Sequence, residues 1–390
     1  MGHEKEEADD EEPWIVDSHT HILPPRLAEK IRAFFNDSIR VLDEADDPDA
    51  SPAGPSGDPD GRPQPCCMIP LRKDLFGATY DSVASFPSHG RFSLPYPASD
   101  VSALVRAQRR VGIASCWILP YAHKAGMSRR LNEDIASMIA PALASEGLAA
   151  PTIGFTVHPS DGADEVDAST RAALLRGARV AKLHCSVGDY GVLHANLAPF
   201  WTLSHTLRFP VVVHFGTHLS GHTLSSDLLD CLGTLATTYR HAPIVVAHSG
   251  DPSVSIALRL AATHENIYLD TTPTVTRPPA YPARGTAAHD ELLRLARNGR
   301  VLFGSDLPNT AVLLEDQIAG IYATFAEPGW APPPQRGGSG SGKDWWRKRS
   351  SAARAGKAVE EVLGAAARRL VAGVDVSALL GERAEHAAKM

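Results

Sequence analysis

Residues 17–25 read DSHTHILPP. They close a short apolar run, Trp14–Asp17, at the place where an open, doubly wound sheet would carry a glycine-rich phosphate turn. No such turn is present. Seven further β-branched or apolar runs recur downstream: Ile113–Leu119, Thr152–Val157, Val180–His184, Pro210–His214, Ile244–His248, Ile267–Asp270 and Val301–Gly304. Helical stretches lie between them, including Ser99–Arg110, Arg129–Ser145, Ala163–Arg176, Leu224–Tyr239, Ser253–His264 and Ala287–Arg297. Strand–helix alternation means parallel strands. Eight such units over about 300 residues predict an α/β fold, a (β/α)8 TIM barrel.

The same pass sets the domain organisation. One barrel unit is read over residues 13–373, preceded by a solvated acidic tail at 1–12. Residues 43–65 hold six prolines and seven acids and read as a disordered insertion after the first strand. A second low-complexity insertion, about 331–343, runs APPPQRGGSGSG over Ala331–Gly342. Ser350–Met390 reads as two helices covering one end of the barrel, with 374–390 a C-terminal helical extension.

Composition narrows the function. At 43% hydrophobic and 21% charged residues, the chain can bury a sizeable core. Its net charge of −7 is local: residues 4–12 carry −6 and residues 43–60 carry −7, leaving +6 spread thinly elsewhere. That excludes a basic nucleic-acid face and a polybasic membrane patch. No apolar run approaches the roughly 18–20 residues that span a bilayer. The acidic N-terminus does not suit a signal or transit peptide. The five cysteines are odd in number and irregular in spacing, as in a reduced, cytoplasmic protein. The expected partner is a small-molecule substrate, not nucleic acid or membrane.

In a barrel of this kind the active site lies at the C-terminal ends of the strands. There the sequence places His19 and His21 after strand one, His158 after strand three and Lys182 and His184 at strand four. His214 ends strand five, His248 ends strand six, and Asp306 follows strand eight. His19 and His21 stand at i and i+2, which aims both side chains one way on a strand. With His214 and Asp306 they form a nitrogen and oxygen ligand set for one divalent metal ion. Zn²⁺ suits it best, with Mn²⁺, Fe²⁺ or Co²⁺ as alternatives. Asp17 is expected to tie down the strand-one loop, His158 to pack behind the metal shell, and Trp117 and Trp201 to belong to the core.

The motifs VDSHTH (16–21), VVVHFG (211–216), VVAHSG (245–250) and LFGSDLP (302–308) resemble those of the amidohydrolase superfamily. The resemblance runs from Trp14 to about Val371, where VLGAAARRLV is similar to that superfamily's closing helix. An Ala-Ala pair stands where the family usually has Asn-Ala. Within the superfamily the chain is most similar to the branch that contains aminocarboxymuconate-semialdehyde decarboxylase and many uncharacterised hydrolases. The resemblance implies a mononuclear metal held by His19, His21, His214 and Asp306, with His248 as general acid/base on the opposite wall. Lys182 and His184 share one face of strand four. They stand as substrate-binding candidates, or as ligands to a second metal. The branch's use of an Arg to clamp a substrate carboxylate makes Arg72 the first candidate for that role. It also includes homodimers in which a neighbouring subunit supplies an Arg.

A bound divalent cation lowers the pKa of its water to roughly 7, and imidazole can move the proton at neutral pH. The expected function is therefore metal-dependent hydrolysis of a small ester, lactone or amide. The alternative is a decarboxylase acting on an aromatic or muconate-type acid; a third reading is a non-catalytic metal-binding scaffold. Asn309 stands in GSDLPN where decarboxylase relatives tend to have an aromatic residue, which favours hydrolysis.

Overall fold

A computed structural model describes residues 13–30, 101–146, 151–215, 226–251, 253–272, 274, 281–309, 313–331 and 349–388. The strands are β1 (Ile15–Thr20), β2 (Ile113–Ile118), β3 (Thr152–Thr156), β4 (Val180–Leu183), β5 (Val211–Val213), β6 (Ile244–Val246), β7 (Ile267–Asp270) and β8 (Val301–Leu302). Helices alternate with them: α1 (Val101–Arg110), α2 (Ser128–Glu146), α3 (Ala163–Leu175), α4 (Ala198–Leu207), α5 (Ser226–Thr238), α6 (Val254–Thr263), α7 (Ala287–Arg297) and α8 (Leu314–Phe325). The local chemistry explains the elements. The β5 run Val-Val-Val is β-branched and wholly buried. In α1 the buried residues Val101, Leu104, Ala107 and Gln108 recur at helical spacing. Thr286 caps α7 by accepting the backbone N–H of His289.

The sheet runs β1 to β8 in order, every neighbouring pair parallel. It closes on itself where Ser18 N donates to Phe303 O at 2.8 Å and Thr20 bridges Leu307. This is the (β/α)8 TIM barrel that the alternation predicts. Val16, Trp117, Leu119, Val180, Val212, Val245, Ala247 and Leu302 pack its interior with Ala366 and Ala367. The latter pair, from the predicted closing helix, plugs the floor. Arg368 clamps it there by donating to Trp14 O at 2.6 Å. The outer layer packs the other strand face against the helices. Each Leu, Ile or Val fully buried there contributes about 1.5–3 kcal/mol of transfer free energy. Trp117 and Trp201 are core residues, at 0% and 1% exposure.

Some expectations need correction. Among the described residues, α4 and α8 add to the helical stretches named from the sequence, and their buried residues recur at helical spacing. Ser253 stands at the N-cap of α6. The C-terminal segment holds three helical runs, not two. α9 (Arg349–Ala355) is followed by a run from Lys357 to Ala372, interrupted by a π turn at Glu361–Ala365, and then by α10 (Ser377–Ala388). Gly356, at φ 111°, separates the first two runs, and a Cβ there would press on Glu327. The acidic tail, the insertion at 43–65 and nearly all of that at 331–343 lie outside the described residues. Among the described residues, no helix is long and apolar enough to cross a membrane.

Candidate metal centre

The centre starts from β1, which is irregular in register between Asp17 and Thr20. Asp17 pins this stretch as expected. Its Oδ1 accepts from the backbone N–H groups of His19 at 3.1 Å and Ser305 at 2.9 Å. Its Oδ2 accepts from Ser305 Oγ at 2.5 Å and Gln108 Nε2 at 2.9 Å. Burial outweighs these bonds and raises its pKa to about 6. On the other side of the closure, Asp306 takes the left-handed conformation at φ 58°, and its N–H donates to His19 O at 2.7 Å. The His-x-His strand and the Asp-bearing turn are thereby built as one unit.

His19, His21 and Asp306 each bring one ligand atom to a common point, all within 4.8 Å of one another. Asp306 Oδ1 lies 3.0 Å from His21 Nε2 and 3.7 Å from His19 Nε2. The opposite ring nitrogens are spoken for. His19 Nδ1 meets Asp270 Oδ2 at 2.7 Å, and His21 Nδ1 meets Leu119 O at 2.6 Å. A carboxylate and a carbonyl only accept, so both histidines carry their proton on Nδ1 and turn the Nε2 lone pair to the cluster. Burial, then the Lys182 charge, lowers the His19 pKa to about 4, so the ring is neutral. Burial raises the Asp306 pKa, but the imidazoles of His21, His19 and His248 around it outweigh that and hold the carboxyl ionised.

These groups fit a metal. Ligand atoms about 2.0–2.2 Å from a tetrahedral Zn²⁺ lie roughly 3.4 Å from each other. The separations of 3.0 and 3.7 Å bracket that value. Two neutral imidazole lone pairs and one carboxylate are the donor chemistry a borderline cation takes.

The remaining candidates surround this cluster. His248 Nδ1 donates to Thr272 O at 2.7 Å, which leaves Nε2 as an acceptor 3.2 Å from His214 Nδ1. His214 must then donate from Nδ1, which frees its own Nε2. His214 is not one of the three converging donors; its ring stacks on His184 with centroids 3.7 Å apart. Val187 N–H donates to His184 Nδ1 at 3.4 Å, so the His184 proton sits on Nε2. Lys182, at 0% exposure, places Nζ 2.9 Å from His19 Nε2. Burial pulls its pKa down to about 8. His158 uses both ring nitrogens in structural bonds, to Gly188 O at 3.0 Å and Ser160 N at 3.3 Å. Arg72 lies outside the described residues.

Two site residues escape the sequence reading. Asp270 ends β7 and Tyr121 follows β2. Asp270 binds His19, the backbone N–H of His248 at 2.9 Å and Thr272 Oγ1 at 2.5 Å. Burial raises its pKa, but the adjoining His19 imidazole and its Nδ1–H hydrogen bond outweigh that and bring it to about 2. The signal was a carboxylate at the C-terminal end of a strand, the same signal that marked Asp306.

Comparison with known proteins gives a family and a fold. The sequence model of a family described as amidohydrolase matches residues 89–372. That range begins after β1, so the His19–His21 pair rests on the geometry above. No curated protein matches the chain. Among solved structures, an uncharacterised TIM-barrel protein from Bordetella bronchiseptica is 14% identical. The match covers 92% of this chain and 98% of that one, at a TM-score of 0.53. A 5-carboxyvanillate decarboxylase from Novosphingobium aromaticivorans, solved with manganese and 4-hydroxy-3-methoxy-5-nitrobenzoic acid, is 10% identical. There the match covers 92% of this chain and 96% of that one, at a TM-score of 0.52. At these identities both speak for the fold alone.

Proposed function

The chain belongs to the amidohydrolase family, and on that footing we propose that it is a metal-dependent hydrolase of a small ester, lactone or amide. His19, His21 and Asp306 would hold the cation, with His214 as a fourth ligand through its free Nε2. Their nitrogen and oxygen mix favours Zn²⁺. A cation held there supplies Lewis acidity to the reacting oxygen.

The observation that carries the reading is the tautomer of His248. Thr272 O fixes its proton on Nδ1, so Nε2 is the basic nitrogen, and its lone pair accepts from His214 Nδ1 at 3.2 Å. In this reading His248 exchanges the His214 bond for one from the attacking water, takes its proton and returns it to the leaving group, a role worth about 10²–10⁴-fold in rate. Asp306, kept ionised, orients the attacking water. Asp270 ties His248 to the ligand wall through the backbone N–H.

One observation favours the second reading, decarboxylation of an aromatic or muconate-type acid. Lys182 places a buried ammonium beside the cluster, where it could pair with a substrate carboxylate. The test is turnover by Zn²⁺-loaded enzyme on lactones and aryl esters, against CO₂ release from aromatic acids. Hydrolysis without CO₂ release supports the proposal. CO₂ release without hydrolysis overturns it.

A further inference from the structure

Three polar side chains at the mouth take no part in the ligand cluster or the proton path. Tyr121 follows β2, His184 follows β4 and Asn309 follows β8. Tyr121 is 6% exposed; its ring stands edge-on to His21, centroids 5.2 Å apart, and lies 5.1 Å from His184. The Asn309 side chain adjoins the phenol oxygen. Its Oδ1 is nevertheless buried without a hydrogen-bond partner. The neighbouring phenol therefore does not donate to it, and the Tyr121 hydroxyl keeps its own proton to give. The His184 Nε2–H is a second neutral donor, fixed by the Val187 bond to Nδ1.

We propose that Tyr121, His184 and Asn309 form a neutral recognition edge for a substrate that presents a carbonyl oxygen beside an N–H or O–H group. The carbonyl accepts from Tyr121 and His184, and the neighbouring N–H or O–H satisfies Asn309 Oδ1. A buried acceptor without a partner is costly, so a ligand that supplies the donor gains over one that cannot. A carboxylate supplies none, and it would set its charge against the Asn309 carbonyl. Within esters, lactones and amides, this selects amides and hydroxyl-bearing lactones. The inference rests on the proposed function only in taking the barrel mouth as the substrate site.

The test is binding to the full-length, Zn²⁺-loaded protein, measured calorimetrically with three probes. δ-Valerolactam and cyclohexanone share ring size and carbonyl, and only the lactam adds an N–H; benzoate is the carboxylate probe. The lactam should bind about tenfold tighter than the ketone, the worth of one satisfied hydrogen bond. Asn309→Leu should erase that preference, and Asn309→Ser keeps the test open if the Leu variant does not fold. Tyr121→Phe should weaken lactam and ketone alike, with metal content unchanged. Equal or absent binding of lactam and ketone, benzoate as the tightest probe, or a preference that survives both Asn309 variants would overturn the proposal. These ratios report binding alone, so they hold or fail whether the enzyme hydrolyses or decarboxylates.

Discussion

His19 donates its Nδ1 proton to Asp270 Oδ2 across 2.7 Å, with both side chains at 0% exposure. That bond decides which nitrogen of His19 faces the ligand cluster. The same carboxylate accepts from the backbone N–H of His248. One residue of β7 thus couples the ligand wall to the acid/base wall.

Asp270→Asn should weaken metal binding by about 10–100-fold, the usual effect of losing a carboxylate behind a ligating histidine. Competition with a chromogenic chelator measures it. Wild-type affinity in the variant would mean that Asp270 does not set the His19 tautomer.

Lys182 donates to the same Nε2 lone pair that a cation would need. Lys182→Met should therefore keep one equivalent of metal and bind it at least as tightly as the wild type. Metal analysis that finds the site emptied, or a second equivalent lost, would make Lys182 a ligand.

His248→Ala should retain the metal and the fold while losing about 10²–10⁴-fold in turnover. Metal content, melting temperature and rate on one preparation separate the outcomes. Loss of metal would make His248 a ligand, and an unchanged rate would remove it from the mechanism.

Gly304 lies against the ligand strand. A Cβ there would come 2.7 Å from His19 Cβ and 3.1 Å from Thr272 Cγ2. Gly304→Ala should cost about 1–3 kcal/mol of stability through overpacking and lower metal occupancy by shifting His19. Calorimetry and metal analysis check both, and a variant with wild-type melting and occupancy would contradict the close contact.

Much of this was legible in the sequence because strands have a short period. Two histidines at i and i+2 must face one way, and polar residues at strand ends must gather at one mouth. The barrel and the His19–His21–Asp306 cluster follow from that. Positions around the ring were harder to read. Tyr121 and His184 stand 5.1 Å apart, although they follow strands two and four, because ring size and loop path decide that contact. Asp270 carried the right signal, but its role needs the β1–β8 closure that sets His19 over β7. The break at Gly356 is decided by tertiary packing, which local periodicity does not encode.

Anomalous diffraction at the zinc edge, from crystals of the Zn²⁺-loaded protein, tests the centre most directly. One peak is expected, about 2.0–2.2 Å from His19 Nε2, His21 Nε2 and an Asp306 oxygen. A fully loaded protein whose peak lies away from these three atoms would contradict the assignment.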